Sequence, residues 1–98
     1  MPAGTTEFPA GFEWDPAKSA ANLAKHGVSF EQALSLFHDP GLTRFPSSQL
    51  EGEPRMMNVG HIGGKLFTAV TTARGDNIRV ISVRRSRTLE KGIYNGDS

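Results

Sequence analysis

Two turn signals in the second half of the chain, Gly63-Gly64 and Arg74-Gly75-Asp76-Asn77, leave little choice about how their surroundings fold. A two-residue Gly-Gly connection suits the hairpin turns whose twist matches paired strands, and the flanking residues are rich in β-branched types. Arg55–Ile62, Lys65–Thr72 and Ile78–Arg84 therefore read as an antiparallel three-strand meander. Ahead of Pro40 the spacing is helical instead. Asp15 can accept from free backbone N–H groups and Pro16 sacrifices no bond at a first helical position, so a helix is predicted from Pro16 to His26, closed by Gly27. Ser29 and Gln32 form a capping box for a second helix that carries Phe30, Ala33, Leu34 and Phe37 on one face and stops at Asp39-Pro40. Short strands at Phe12–Trp14 and Leu42–Phe45 and a last helix from Thr88 to about Asn95 complete the order. Gly92 weakens that last helix by about 1 kcal/mol relative to Ala.

This order predicts an α+β fold: an antiparallel-dominated sheet, two N-terminal helices packed on one face, a C-terminal helix, and the other face open to a ligand. With 98 residues there is room for one domain, expected over residues 12–98 behind a flexible tail at residues 1–11. Trp14 is expected in the core. The absence of Cys excludes disulfides, thiol nucleophiles and Cys-based zinc sites. Three His with neither HxH nor HxxxH spacing predict no metal site, and nothing calls for a cofactor. No apolar stretch approaches the roughly 20 residues that cross a bilayer, and the start lacks a basic leader, so a cytoplasmic protein without membrane contact is expected.

Charge is unevenly spread. Arg74, Arg79, Arg84, Arg85, Arg87 and Lys91 crowd one stretch that holds only Asp76 and Glu90 as acids. Five of these bases are Arg, whose planar fork pairs bidentately with phosphate, and a polyanion is the natural partner.

The residues Phe12-Glu13-Trp14-Asp15, Lys18, Asn22, Lys25-His26-Gly27-Val28-Ser29-Phe30-Glu31, Phe37 and Asp39-Pro40 resemble the opening signature of the BrnT family of type II toxins. The second half is similar to it as well, through Arg55, Gly60, Thr72, Arg74-Gly75-Asp76, Arg79, Ile81-Ser82, Arg84-Arg85, Glu90 and Tyr94. Val83 and Ser86 stand where small residues such as Ala are usual, and Gly92 interrupts the final helix. The resemblance implies a RelE-like fold, a ribonuclease that inhibits translation, and neutralisation by a BrnA-type DNA-binding antitoxin. Operator DNA would then be reached only through that antitoxin.

Such chemistry is open to a chain without Cys or metal, because the RNA 2′-hydroxyl is an internal nucleophile beside the phosphorus. The protein must supply a base, an acid and cations for the phosphorane charge. Arg55, Arg79 and Arg84 are candidates for the catalytic cations, and Lys25, His26, Glu90 and Tyr94 for proton transfer, with His61 and Glu53 also of suitable type. Arg74, Arg85, Arg87 and Lys91 are the candidate RNA-binding residues. His26, at a helix C-terminus, could equally serve the helix dipole, and His38 reads as an ordinary surface residue. Strict alternation places Arg79, Ile81, Val83 and Arg85 on one face of their strand and Ile78, Val80, Ser82 and Arg84 on the other. All the Arg residues cannot serve one site unless a bulge or twist intervenes. The competing function is a non-catalytic module whose basic surface binds nucleic acid or an antitoxin, acting as a co-repressor in an operator-bound complex.

Overall fold

The computed structural model describes residues 11–47 and 52–96. The predicted tail, Gly11 apart, lies outside the described residues, as does part of the polar loop between Pro46 and Pro54. The elements run β1 (Phe12–Glu13), α1 (Pro16–His26), α2 (Phe30–Ala33), β2 (Thr43–Pro46), β3 (Met56–Ile62), β4 (Lys65–Arg74), β5 (Asn77–Arg85) and α3 (Thr88–Tyr94). The strands form one mixed sheet in the order β1-β5-β4-β3-β2, with β1 parallel to β5 and the other pairs antiparallel.

Local chemistry explains the helix boundaries. Asp15 accepts the Ala17 N–H at 2.9 Å, and the Gly27 N–H caps the Leu23 carbonyl. The Ser29 hydroxyl accepts from the Gln32 N–H while the Gln32 side chain accepts from the Ser29 N–H, which completes the expected capping box. The second helix departs from expectation, because only Phe30–Ala33 is α-helical and Leu34–His38 tightens into a 3-10 turn. That turn passes close over β3. A Cβ on Gly60 would lie 2.7 Å from the Leu36 carbonyl oxygen, so only glycine lets the two backbones approach.

Trp14, Val28, Phe30, Ala33, Leu36, Phe67, Ala69, Val80 and Val83 form the core, between the sheet and the α1–α2 layer. Phe12, Leu34 and Phe37 pack at its margin, half-buried. Asn22 is the polar member of this layer. Its Nδ2 donates to the Val28 carbonyl at 2.8 Å and its Oδ1 accepts the Val83 N–H at 3.1 Å, which satisfies the edge of β5 beyond the reach of β1.

Strict alternation fails in β5. Val70 pairs with Ser82 but Thr71 with Val80, so Ile81 is a bulge residue and the faces exchange there. Val80 and Val83, three apart, both face the core opposite Thr71 and Ala69. The expectation that Arg79 shares a face with Val83 and Arg85 is therefore corrected. Arg79, Ser82 and Arg84 stand opposite Thr72, Val70 and Thr68, on the face away from α1 and α2. There α3 lies across part of the sheet, over fully buried Val59 and Thr68.

Candidate active site

The face away from α1 and α2 gathers Arg74, Arg79 and Arg84 along β4 and β5. Arg55 precedes β3, and continuing its register places Arg55 opposite Thr72 and thus in a row with Arg79. Thr72 secures this corner by donating to the Pro54 carbonyl at 2.7 Å.

Three of the four guanidinium groups are held by carboxylates. Arg79 Nη1 donates to Glu13 at 2.8 Å, and Asn77 donates to the other Glu13 oxygen at 3.1 Å. The Asn77 amide and then Arg79 lower the Glu13 carboxyl below its ordinary pKa. Arg74 forks onto Glu53 at 3.1 and 3.2 Å, an exposed pair. Arg84 and Glu90 make the tightest arrangement, with Nη1 to Oε1 and Nη2 to Oε2 both at 2.7 Å. Glu90 Oε1 also accepts the Arg87 N–H at 2.8 Å and the Thr68 hydroxyl at 2.9 Å. With its proton so committed, Thr68 must accept from the Ser86 hydroxyl, 2.8 Å away. Arg84 above all, aided by Arg87 and Thr68, holds the Glu90 carboxyl down at about 2 against the opposing effect of burial. Glu90 in turn raises the Arg84 guanidinium.

Arg55 differs. Its Nε is buried without a hydrogen-bond partner, and no ion pair to it occurs among the described residues. A guanidinium with no carboxylate beside it keeps its charge uncompensated, which favours an incoming anion.

Beside Arg84 and Glu90 opens a cleft of about 480 Å³, lined also by Phe45, Met57, Arg87, Leu89 and Ile93. Leu89 and Arg87 are exposed at its rim. Lys91 is likewise exposed on α3.

The other end of α3 is fixed by a second polar cluster. Tyr94 donates its hydroxyl to Asp39, with 2.8 and 3.0 Å to the two oxygens, and lies 3.1 Å from His61 Nδ1. Gly41 makes room for it, since a Cβ there would fall 2.5 Å from the Tyr94 hydroxyl. The Gly41 N–H first, with the His61 side chain and N–H, holds Asp39 well below the usual carboxylate range, and Asp39 pushes the Tyr94 hydroxyl up.

The remaining candidates lie elsewhere. Lys25 and His26 end α1 and line a separate groove with Lys18, Asn22, Ile81 and Ser82, at the free edge of β5. Arg85 stands on the core-facing side, its guanidinium 5.6 Å from the Phe67 ring centroid. His38 is exposed, as expected. Glu13, Asp39, Thr68 and Ser86 carry much of the polar architecture, yet their residue types and spacing do not mark them as site residues. Only Asp39 has a visible local signal, and the Asp39-Pro40 pair reads as a helix stop. Among the described residues no group of three or more His, Cys, Asp or Glu could hold a metal ion, and no helix is long and apolar enough to cross a membrane.

In this α+β domain four guanidinium groups are ranked on one sheet face, beside α3. Residues 14–90 match the family described as "Ribonuclease toxin, BrnT, of type II toxin-antitoxin system", and the chain belongs to that family. Its class is therefore that of ribonuclease toxins whose partner is an antitoxin and whose target is RNA. No curated relative matches the chain.

Proposed function

We propose that this protein is a metal-independent endoribonuclease of RelE-like architecture that cleaves RNA in the cytoplasm, inhibits translation, and is silenced by a BrnA-type DNA-binding antitoxin. The observation that carries this reading is the bulge at Ile81, which turns Arg79 and Arg84 onto the same face as Arg55 and Arg74. Cations so placed stabilise the charge that builds on a phosphorane, and the ribose hydroxyl supplies the nucleophile, so the chemistry requires no metal.

Within this reading the three catalytic Arg residues take different parts. Arg55, which has no carboxylate partner among the described residues, takes the phosphate first. Arg79 and Arg84 are pre-aimed by Glu13 and Glu90 and stay ordered without RNA. Glu90 serves as the anchor of Arg84, since a carboxyl held at about 2 neither gives nor takes protons near neutrality. Arg74, Arg87 and Lys91 contact the flanking backbone, and the single domain spans residues 12–98.

The test is incubation of the purified, antitoxin-free protein with RNA in excess EDTA. Cleavage is expected to persist. Loss of cleavage on chelation with recovery on adding a divalent metal would overturn the mechanism. RNA or operator binding with no cleavage at all would favour the co-repressor reading instead.

A further inference from the structure

We propose that His61 is the proton-transfer residue of RNA cleavage and that Asp39 is its positioning residue, an inference that rests on the ribonuclease reading above. Asp39 grips the histidine twice: one carboxylate oxygen, Oδ2, accepts the His61 backbone N–H at 2.8 Å and lies 2.8 Å from ring Nδ1. An anionic oxygen at that distance requires the proton of the neutral ring on Nδ1, which leaves the lone pair on Nε2. The carboxylate is only 9% exposed while the imidazole is 45% exposed, so the orienting group is shielded and the reactive nitrogen can meet a substrate. Tyr94 locks the arrangement from α3, its ring edge-on to the imidazole at 5.3 Å. Asp39 and Tyr94 are the titratable groups that contact the ring from the neighbouring elements. The Tyr94 hydroxyl proton is committed to Asp39, so the phenol positions rather than titrates.

The location suits the chemistry. His61 pairs with Leu66 and so lies on the same sheet face as Thr68 and Arg84. Glu90 anchors α3 at Arg84 and Tyr94 anchors it at His61, the two helix positions being four residues and about one turn apart, with roughly 6 Å between their Cβ atoms. Exposed Arg87 and Lys91 follow the same helix with the same spacing and can carry an RNA backbone between the two ends.

In the step assigned to it, His61 Nε2 takes the proton of a ribose 2′-hydroxyl as that oxygen bonds to the adjoining phosphorus. The bond from phosphorus to the 5′ oxygen breaks, the leaving oxygen keeps the electron pair and takes a proton from water, and the imidazolium returns its proton to solvent. The products are a 2′,3′-cyclic phosphate and a 5′-hydroxyl.

The experiment measures cleavage, RNA affinity and product ends for the wild-type chain, His61→Ala, His61→Gln, Asp39→Asn and the exposed control His38→Gln. Wild type and the control should cleave alike and leave cyclic phosphate ends. Both His61 variants should lose roughly 10²-fold or more in kcat with RNA affinity unchanged. Added imidazole should restore part of the rate to His61→Ala but not to His61→Gln, a rescue that a merely structural histidine would not show. Asp39→Asn should lower kcat with KM unchanged. His61 variants that cleave at the wild-type rate, or lose affinity as much as rate, would overturn this inference alone. A wild-type chain that cleaves no RNA would overturn the function on which it rests.

Discussion

Asn22 on α1 bonds the backbone of Val83 on β5, 61 residues away, and through Val28 it also fixes the start of the α2 layer. One buried carboxamide thereby satisfies an unpaired strand-edge donor and a loop carbonyl together. Asn22→Leu keeps much of the volume but strands both groups, each at about 1–3 kcal/mol. Urea unfolding should show a loss of about 2–6 kcal/mol with unchanged slope, and an unaltered midpoint would contradict this account of the β5 edge.

Acid sensitivity should follow from Glu90. Its carboxyl is held at about 2 in the folded chain, below its value of 4.5 when unfolded, so it contributes fully above about 4.5 and that contribution is lost as pH falls towards 2. Asp39, depressed further, adds to the slope in the same direction at still lower pH. Glu90→Gln leaves Arg84 without its anion and should cost about 3 kcal/mol at neutral pH. Thermal melts of this variant should then fall less steeply between pH 4.5 and 2 than those of wild type. Parallel pH curves would show that the ion pair is not what acid removes.

Elements set by short-range chemistry are legible in the amino-acid sequence itself. Asp15-Pro16 starts α1, Ser29 with Gln32 caps α2, and Gly63-Gly64 closes the β3–β4 turn, each within four residues of the signal. What is not legible depends on partners far along the chain. The parity of β5 is decided by which β4 residue each side chain faces, and the bulge that reverses it leaves no mark in a run such as Ile78 to Val83. Asp39 reads as a helix stop because its contacts are 22 and 55 residues distant. For the same reason the sequence shows six crowded bases but not that Glu13, Glu53 and Glu90 neutralise three Arg residues, while Arg55 has no ion pair among the described residues.

Inhibition by the antitoxin should involve the cationic face. An antitoxin can silence it by presenting carboxylates to the guanidinium groups or by blocking RNA entry. Hydrogen exchange and arginine modification of the inhibited complex should therefore show Arg74, Arg79 or Arg84 protected relative to the free toxin. Arg85 lies on the opposite side, so it separates shielding of this face from general coverage. A complex that leaves Arg74, Arg79 and Arg84 as accessible as in the free protein would contradict the prediction.

The Arg residues should divide kinetically. Arg79 and Arg84 are held in place by carboxylates without RNA, so on the proposed mechanism their contribution should be realised mainly as charge develops on the phosphorane. Arg79→Ala or Arg84→Ala should lower cleavage by roughly 10²-fold or more while RNA binding weakens far less. Arg55→Ala should weaken both, because among the described residues no carboxylate pairs with its guanidinium and its charge is open to phosphate in the ground state as well. Lys65, exposed at the β3–β4 turn, should on replacement by Ala weaken binding slightly and reduce its salt dependence, as loss of one outlying phosphate contact does. Each variant needs a melt beside its kinetics, since Arg84 also holds Glu90 and through it the start of α3. If folded Arg79→Ala and Arg84→Ala proteins both cleave at the wild-type rate, the site is not on this face. The groove of Lys18, Lys25 and His26 at the β5 edge would then be the one to test.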